Sequence, residues 1–280
     1  MGARASLSVL SFTGAVVTCA LMCAAGGAAA QTSSPAATPA PMKAAPVETV
    51  VIAAEDDWAP YSYAKPGSTN PEGMAPVLVT AAFETQGIRV KFVVVPFARC
   101  LAMAKSGAAV GCFDTAMTDE NRNQYHWHPT PLFQEELAVF ARLDSTQKDL
   151  TVQQLEGHTL GVTVGYTYPS SITANPRIRQ VPVTSDANLL NMLVAGRVDY
   201  ILLNSLPGYY RASLDPKLAG RFKRVGVVEQ QSFWVCFSRK HPDGKRLSEV
   251  FETGVEAIKA NGTYARITTD FHRRLNLPAR

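Results

Sequence analysis

The stretch ETVVIAA occupies residues 48–54 and is rich in β-branched and small apolar residues. The apolar run within it, at residues 50–54, predicts a buried strand. A loop rich in Pro, Gly, Ser and Asn follows at 57–71, and apolar residues then recur at helical spacing over 73–85. This order of strand, loop and helix predicts an α/β fold with a mostly parallel sheet and helices on both faces.

The same alternation continues along the rest of the chain, as two α/β cycles followed by a helical tail. The further predicted strands are 90–95, 110–113, 136–142, 159–164, 179–183, 198–203, 224–228 and 233–238. The further predicted helices are 97–106, 168–174, 188–195, 206–214, 245–261 and 264–274. Several of them end at a glycine, which is a common helix stop signal.

Composition excludes several classes of protein. With 46% hydrophobic and 18% charged residues in 280, the chain is neither disordered nor a polytopic membrane protein. Lys and Arg number 27 against 23 for Asp and Glu, so the net charge gives no basic footprint for nucleic acid.

The N-terminus has the pattern of a secretory signal at residues 1–30. Arg4 precedes an apolar run at 7–21, and small residues up to Ala30 suit cleavage there, which predicts a periplasmic protein. A membrane anchor, or a lipid anchor at Cys23, is the alternative. Residues 31–47 are rich in Ala, Pro, Ser and Thr and predict a disordered tether.

Three cysteines remain after such a cleavage. Cys100, Cys112 and Cys236 are interpreted as buried thiols that act as small apolar residues. A disulfide between Cys100 and Cys112 is the alternative, because the predicted compartment tolerates disulfides.

Short motifs of the folded region occur in the order in which one known family carries them. They are WAPY at 58–61, PFAR at 96–99, the segment 107–122, PTPL at 129–132, LEGHTLGV at 155–162, GYT at 165–167, AGRVDYIL at 195–202 and ANGTY at 260–264. In these motifs the chain resembles the periplasmic solute-binding proteins of family 3, the polar-amino-acid-type receptors of bacterial uptake systems. The resemblance covers about residues 50–271.

The resemblance implies a two-lobed periplasmic-binding-protein-like fold of type II. Each lobe would be a mixed, mostly parallel sheet flanked by helices. Lobe one would comprise residues 48–141 and 233–275, and lobe two residues 146–228. Two hinge crossovers would join the lobes, near Val139 and Val235.

The first lobe contributes three candidate ligand-binding residues. Trp58 and Tyr61 follow the first predicted strand, at the end where ligands bind in open α/β sheets, and their rings suit an apolar chain or a cation. Coverage of the sheet edge is the alternative role for both. The resemblance assigns Arg122 to a ligand carboxylate, which a guanidinium binds with two parallel donors. A surface ion pair is the alternative for this arginine.

The second lobe contributes four more candidates. Gly165, Tyr166 and Thr167 would supply a backbone N–H, an aromatic wall and a hydroxyl, unless they form only a turn. Asn204 stands where amino-acid receptors of the family carry an Asp for the ligand ammonium. An amide accepts a hydrogen bond but balances no charge. A carboxylate, an amide or an acid without an amine is therefore a rival to an amino-acid ligand.

The resemblance implies a monomeric receptor, without cofactor, that passes a small polar solute to an inner-membrane ABC permease or to a sensor. A dehydratase-type enzyme on the same fold is the alternative from another class. Glu55 or Asp114 would then be its acid. No nucleophile–base pair accompanies them, so no enzyme is predicted. His126 and His128 share one face of an extended segment, but no third metal ligand is evident.

Overall fold

A nine-stranded mixed sheet runs through residues 47–275, the part of the chain that the computed structural model describes. The predicted signal at 1–30 and nearly all of the predicted tether at 31–47 lie outside the described residues. The strands are β1 (Thr49–Glu55), β2 (Asp57–Trp58), β3 (Ser62–Tyr63), β4 (Arg89–Val95), β5 (Gly111–Ala116), β6 (Tyr125–Trp127), β7 (Phe133–Arg142), β8 (Thr159–Thr163), β9 (Arg179–Val183), β10 (Tyr200–Asn204) and β11 (Phe222–Ser238). The helices are α1 (Met74–Glu84), α2 (Phe97–Ser106), α3 (Ser170–Thr173), α4 (Asp186–Val194), α5 (Ser205–Leu214), α6 (Gly244–Ala260) and α7 (Thr263–Leu275).

The sheet has two parallel parts with an antiparallel pair between them. Its order is β4-β1-β5-β11-β7-β10-β8-β9, and β6 pairs with β11; β2 and β3 form a separate small sheet. Strands β4, β1 and β5 pair in parallel, as do β10, β8 and β9. We call the part built on β1, β4 and β5 the first half and the part built on β8, β9 and β10 the second half. The predicted α/β fold is confirmed.

The pair of β7 and β11 joins the two halves, and we call it the ribbon. Its ladder runs from Phe222 opposite Arg142 to Phe233 opposite Phe133. The sequence predicts two strands, 224–228 and 233–238, where the structure has one. The polar residues 229–232 between them still pair with β7, so the ladder is unbroken there despite the loss of apolar character.

The core divides in the same way as the sheet. In the first half, Phe83 and Phe251 are fully buried with ring centroids 4.9 Å apart, so α6 of the C-terminal tail covers α1. In the second half, Leu160 and Leu202 lie in one cluster beside the sheet. The side chains of residues 137–141, which the resemblance places at the end of lobe one, lie in the clusters of the second half. All of the described residues belong to one compact unit. The division into two lobes therefore stays a prediction.

The two histidines beside Trp127 do not share a site. His128 is buried, its Nε2 accepts a hydrogen bond from the Val235 N–H at 3.1 Å, and its Nδ1 lies 3.3 Å from Glu252. Burial lowers the pKa of His128 to about 4, against the opposing pull of Glu252. Within residues 47–275 no three His, Cys, Asp or Glu side chains form a group that could hold a metal ion. The same residues contain no helix long and apolar enough to cross a membrane.

Two of the three cysteines are joined. Cys100 on α2 and Cys112 on β5 form a disulfide, and Cys236 is a buried free thiol. The interpretation of all three as thiols was wrong for the joined pair, and the alternative was right. The bridge ties α2 to the centre of the first half.

We expect reduction of this disulfide to destabilise the protein. A bridge that closes a loop of this size stabilises by about 3 kcal/mol, so the double variant C100S/C112S should melt several degrees below wild type. Reductant should lower the melting temperature of wild type and leave that of the double variant unchanged. Alkylation of Cys100 and Cys112 in the denatured protein without reductant would contradict the bridge.

Candidate functional site

A narrow cavity lies where the two halves meet, at the carboxyl ends of their parallel strands. This edge is the usual ligand site of open α/β sheets. The cavity has about 20 Å³ of room for the centres of water molecules, which is space for about one water. It is lined by Glu55, Trp58, Phe97, Asp114, Ala116, Leu137, Tyr166, Thr167, Tyr168, Asn204, Gln231 and Phe233.

Aromatic rings form the walls of this cavity. Trp58 packs against Phe233 of the ribbon with ring centroids 4.8 Å apart. From the second half, Tyr166 meets Phe97 edge-on at 5.8 Å. The Trp58 indole N–H is buried and has no hydrogen-bond partner among the described residues. The walls therefore offer flat apolar faces from both halves.

Two carboxyl groups of the first half line the cavity. Glu55 is the last residue of β1 and Asp114 lies within β5; they are 4% and 3% exposed. Burial raises the pKa of both well above the usual range, and the charges of Asp114 and Asp186 raise the pKa of Glu55 further. Removing a carboxylate from water disfavours its charged form, so both groups hold a proton more readily than exposed acids do.

Asp114 also has an unusual backbone. Its φ is 61°, in the left-handed region, inside a strand. Neither of its carboxylate oxygens has a hydrogen-bond partner within residues 47–275. Backbone conformations of this kind cluster at ligand sites, where the surrounding structure holds them in place.

A third buried acid lies behind Tyr166. Asp186 begins α4, just after Ser185, whose side chain accepts a hydrogen bond from the Asn188 N–H. The Thr163 hydroxyl donates to Asp186 at 2.7 Å. Burial raises the pKa of Asp186 to about 6, although Arg211 and the Thr163 hydrogen bond oppose the shift. The Arg211 Nε lies 3.9 Å from this carboxylate.

The structure brings four of the predicted site residues together at the cavity, namely Trp58, Tyr166, Thr167 and Asn204. Asn204 is buried, and its amide donates to Gln231 Oε1 at 3.2 Å and to the Glu136 carbonyl at 3.3 Å. Gly165 lies beside the cavity with a φ of 84°.

Two predicted residues lie outside the cavity. Tyr61 stacks on Phe133 at 4.5 Å and donates a hydrogen bond to Glu135, which also accepts from the Leu206 N–H at the start of α5. The Arg122 side chain is 60% exposed, and its Nη2 contacts Asp119 at 2.9 Å. The turn that carries Arg122 is closed by Asn121, which binds the backbone at Thr118 and Ala116, and it leaves the guanidinium on the surface.

Comparison with known proteins identifies the family. The sequence profile of the bacterial extracellular solute-binding proteins, family 3, matches residues 50–273. The chain belongs to this family. Members of this family are binding proteins and not enzymes, in agreement with the prediction from the sequence.

This family 3 protein is similar in sequence to an arginine-binding protein and similar in fold to a sensor domain and to a substrate-binding protein. It is 26% identical over 170 residues to ABC transporter arginine-binding protein 1 of Escherichia coli K12, covering 60% of this chain and 67% of that protein. It is similar in fold to the sensor domain of a histidine kinase, at TM-score 0.69 and 21% identity over 80% of this chain and 95% of that one. An arginine-bound ABC substrate-binding protein of Streptococcus pneumoniae matches at TM-score 0.68 and 18% identity, over 82% and 97%.

Sequence reasoning missed several residues of the site in this family 3 protein. The sequence indicates Glu55 and Asp114 only as acids that an enzyme would need, and it gives no functional signal for Asp186. For Glu55 and Asp114 the sequence does carry a signal, which is an acidic residue in or just after an otherwise apolar strand. Asp186 gives only the signal of a helix start, because its burial comes from packing against Tyr166 and Arg211.

We expect Asp186 to make stability fall as pH rises. Its pKa is raised in the folded state, so its contribution is largest below about pH 4 and is lost as pH increases through about 6. The free energy of unfolding of wild type relative to Asp186→Asn should fall by roughly 2–4 kcal/mol across that window. Chemical denaturation at a series of pH values measures this difference, and Asp270→Asn on the surface is the control. A difference that stays constant with pH would contradict the shifted pKa.

Proposed function

We propose that this protein is a periplasmic receptor that traps a small polar solute between two lobes by hinge closure and presents it to an ABC-type permease. The cavity carries the proposal, because both halves line it and it has room for about one water in this conformation. A solute of amino-acid size enters only when the halves separate, and they then close around it with a wider cavity than in this conformation.

Contacts between the halves support a closed conformation. Arg211 on α5 donates to the Asp57 carboxylate at 2.8 Å and to its carbonyl at 2.6 Å, and Asp57 belongs to the first half. Gly165 of the second half lies so close to α2 that a Cβ on it would be 3.0 Å from the Ala98 Cβ. These contacts exist only while the halves are together, so they add to the closed side of an open–closed equilibrium.

The ribbon is the natural hinge of this proposal. Val139 is buried in the second half and Val235 in the first, so neither lies between the two cores. Between them the ribbon is polar, with Gln134 paired opposite Ser232. We place the bend there, because few apolar contacts resist it.

The experiment that tests the receptor role combines thermal shift with small-angle scattering. The purified protein, stripped of co-purified ligand, is screened against amino acids, amines, guanidines, organic acids and neutral sugars. A ligand at a hundred times its Kd stabilises by about 2.7 kcal/mol, which raises Tm by a few degrees. The same ligand should reduce the radius of gyration. No stabilising solute in the panel, or stabilisation without any change in scattering, would contradict hinge-closure trapping.

A sensory receptor is the second candidate, and the fold shared with a histidine kinase sensor domain favours it. Both roles require the same closure, so only the consequence in the cell separates them. Cells that lack this protein should lose uptake of the ligand if it serves a permease. Cells that retain uptake but lose the transcriptional response to the ligand would indicate a sensor.

We expect Gly165→Ala to weaken ligand binding by disfavouring closure. The added methyl crowds the Ala98 methyl at 3.0 Å in the closed state, so Kd for a solute that stabilises wild type should rise by roughly threefold to tenfold. Gly157→Ala is a matched control, because Gly157 has a φ of 82° but nothing within 4 Å of its Cβ position. Both variants strain a left-handed backbone, and only Gly165→Ala should change Kd and enlarge the liganded radius of gyration. Equal effects of the two variants would assign the loss to backbone strain instead.

A further inference from the structure

The cavity collects carboxyl groups, and no positive side chain among the described residues lines it. Glu55 and Asp114 line it directly, and Asp186 is near enough that its charge raises the pKa of Glu55. No Lys or Arg among residues 47–275 lines the cavity. A buried carboxylate without a cationic partner is costly, so the arrangement needs an explanation beyond stability.

Asp114 points most directly to a ligand. It is 3% exposed, it lines the cavity, and both of its oxygens lack a hydrogen-bond donor in the described part of the chain. Buried polar atoms in native proteins almost always have partners. A donor that arrives with the solute would supply the missing hydrogen bonds.

Two arginines, Arg122 and Arg211, already have acidic partners. Arg122 is on the surface with Asp119. Arg211 binds the carboxylate and carbonyl of Asp57 and lies beside Asp186. A solute carboxylate in the cavity would therefore meet two acids and no guanidinium.

We infer that the cavity takes an organic cation that carries no carboxylate, an amine or a guanidine, with Glu55 and Asp114 as its counter-charges. The inference rests on the proposed function, since it names the class of solute that the receptor would trap. Trp58, Phe97 and Tyr166 fit this class, because aromatic faces attract desolvated cations. Asn204 and Gln231 fit as well, because both side chains are neutral amides that bond to each other, with Asn204 Nδ2 donating to Gln231 Oε1, and add no charge that would compete with the cation.

Protonation should couple to binding. The titratable and charged groups around Glu55 are Asp57, Asp114, Tyr166, Asp186 and, through Asp186, Arg211. Without a cation the raised pKa values favour the protonated forms of Glu55 and Asp114. A bound cation favours the ionised forms, so binding releases protons and affinity rises with pH, by up to about tenfold per pH unit for one proton.

Matched ligand pairs test the inference on the purified protein. Agmatine is arginine without its carboxylate, and cadaverine is lysine without its carboxylate. Isothermal titration calorimetry should give a Kd for agmatine or cadaverine at least about tenfold lower than for the parent amino acid, a ratio equal to about 1.4 kcal/mol. Titrations in two buffers of different ionisation enthalpy should show proton release.

Charge-neutralising variants test whether Asp114 and Glu55 bind the cation. Asp114→Asn and Glu55→Gln should each raise the Kd of the amine tenfold or more. Their ligand-free melting temperature at pH 8 should equal or exceed that of wild type, which separates lost binding from misfolding. Glu120→Gln on the surface removes the same charge outside the cavity and should leave Kd unchanged, as should Arg122→Ala.

The outcomes separate this inference from the receptor role. Tighter binding of arginine or lysine than of the amines, with loss in Arg122→Ala, would overturn the cation assignment and leave a receptor for amino acids. Binding of neutral or acidic solutes alone, or equal effects of Asp114→Asn and Glu120→Gln, would likewise overturn it. No stabilising solute in the whole panel would overturn the receptor role as well.

Discussion

The pairing of β7 with β11 is the constraint on which both halves of the molecule depend. Parallel strands are joined by crossover connections that pass over a face of the sheet. Each half is therefore assembled from its own strands and helices. Among the described residues, the ribbon carries the hydrogen-bonded ladder that leads from one half to the other, with two register shifts along it. This pairing sets the two halves side by side, so that their strand ends face each other across the cavity.

The second organising feature is the placement of carboxyl groups at those strand ends. Glu55 ends β1, Asp114 lies near the end of β5, and Asp186 opens α4 in the other half. Their burial costs stability, which a soluble domain tolerates only where another element holds the position. The surrounding aromatic residues, the fully buried strand β5 and the largely buried strand β1 provide that support. The packing of the core beneath the site therefore offsets the free-energy cost of burying these carboxyl groups.

Most of the fold follows from local sequence patterns. The strands predicted at 48–54 and 179–183 and the helix predicted at 97–106 each lie within a residue or so of the observed elements. The exceptions have a physical cause. Residues 229–232 are polar and therefore resemble a turn, yet they pair with β7, and such pairing depends on a partner distant in sequence. Cys100 and Cys112 likewise meet only because α2 packs on β5.

The site was less predictable than the fold. Trp58, Tyr166, Thr167 and Asn204 follow strand ends, and strand ends can be located from sequence. The direction of a side chain in a turn cannot be predicted in the same way. Arg122 shows this, because its turn is fixed by two hydrogen bonds between the Asn121 side chain and the backbone. The burial of Asp114 depends on contacts between segments distant in sequence, and residues of both halves line the cavity that it faces. No local pattern records this.

The left-handed backbone of Asp114 limits how this position can change during evolution. Aspartate, asparagine and glycine are the residues that adopt such a conformation most readily. Codons for asparagine and glycine each differ from an aspartate codon by a single base. One point mutation can thus remove a charge from the cavity while the strand keeps its path, so ligand preference can diverge between close homologues faster than the fold does.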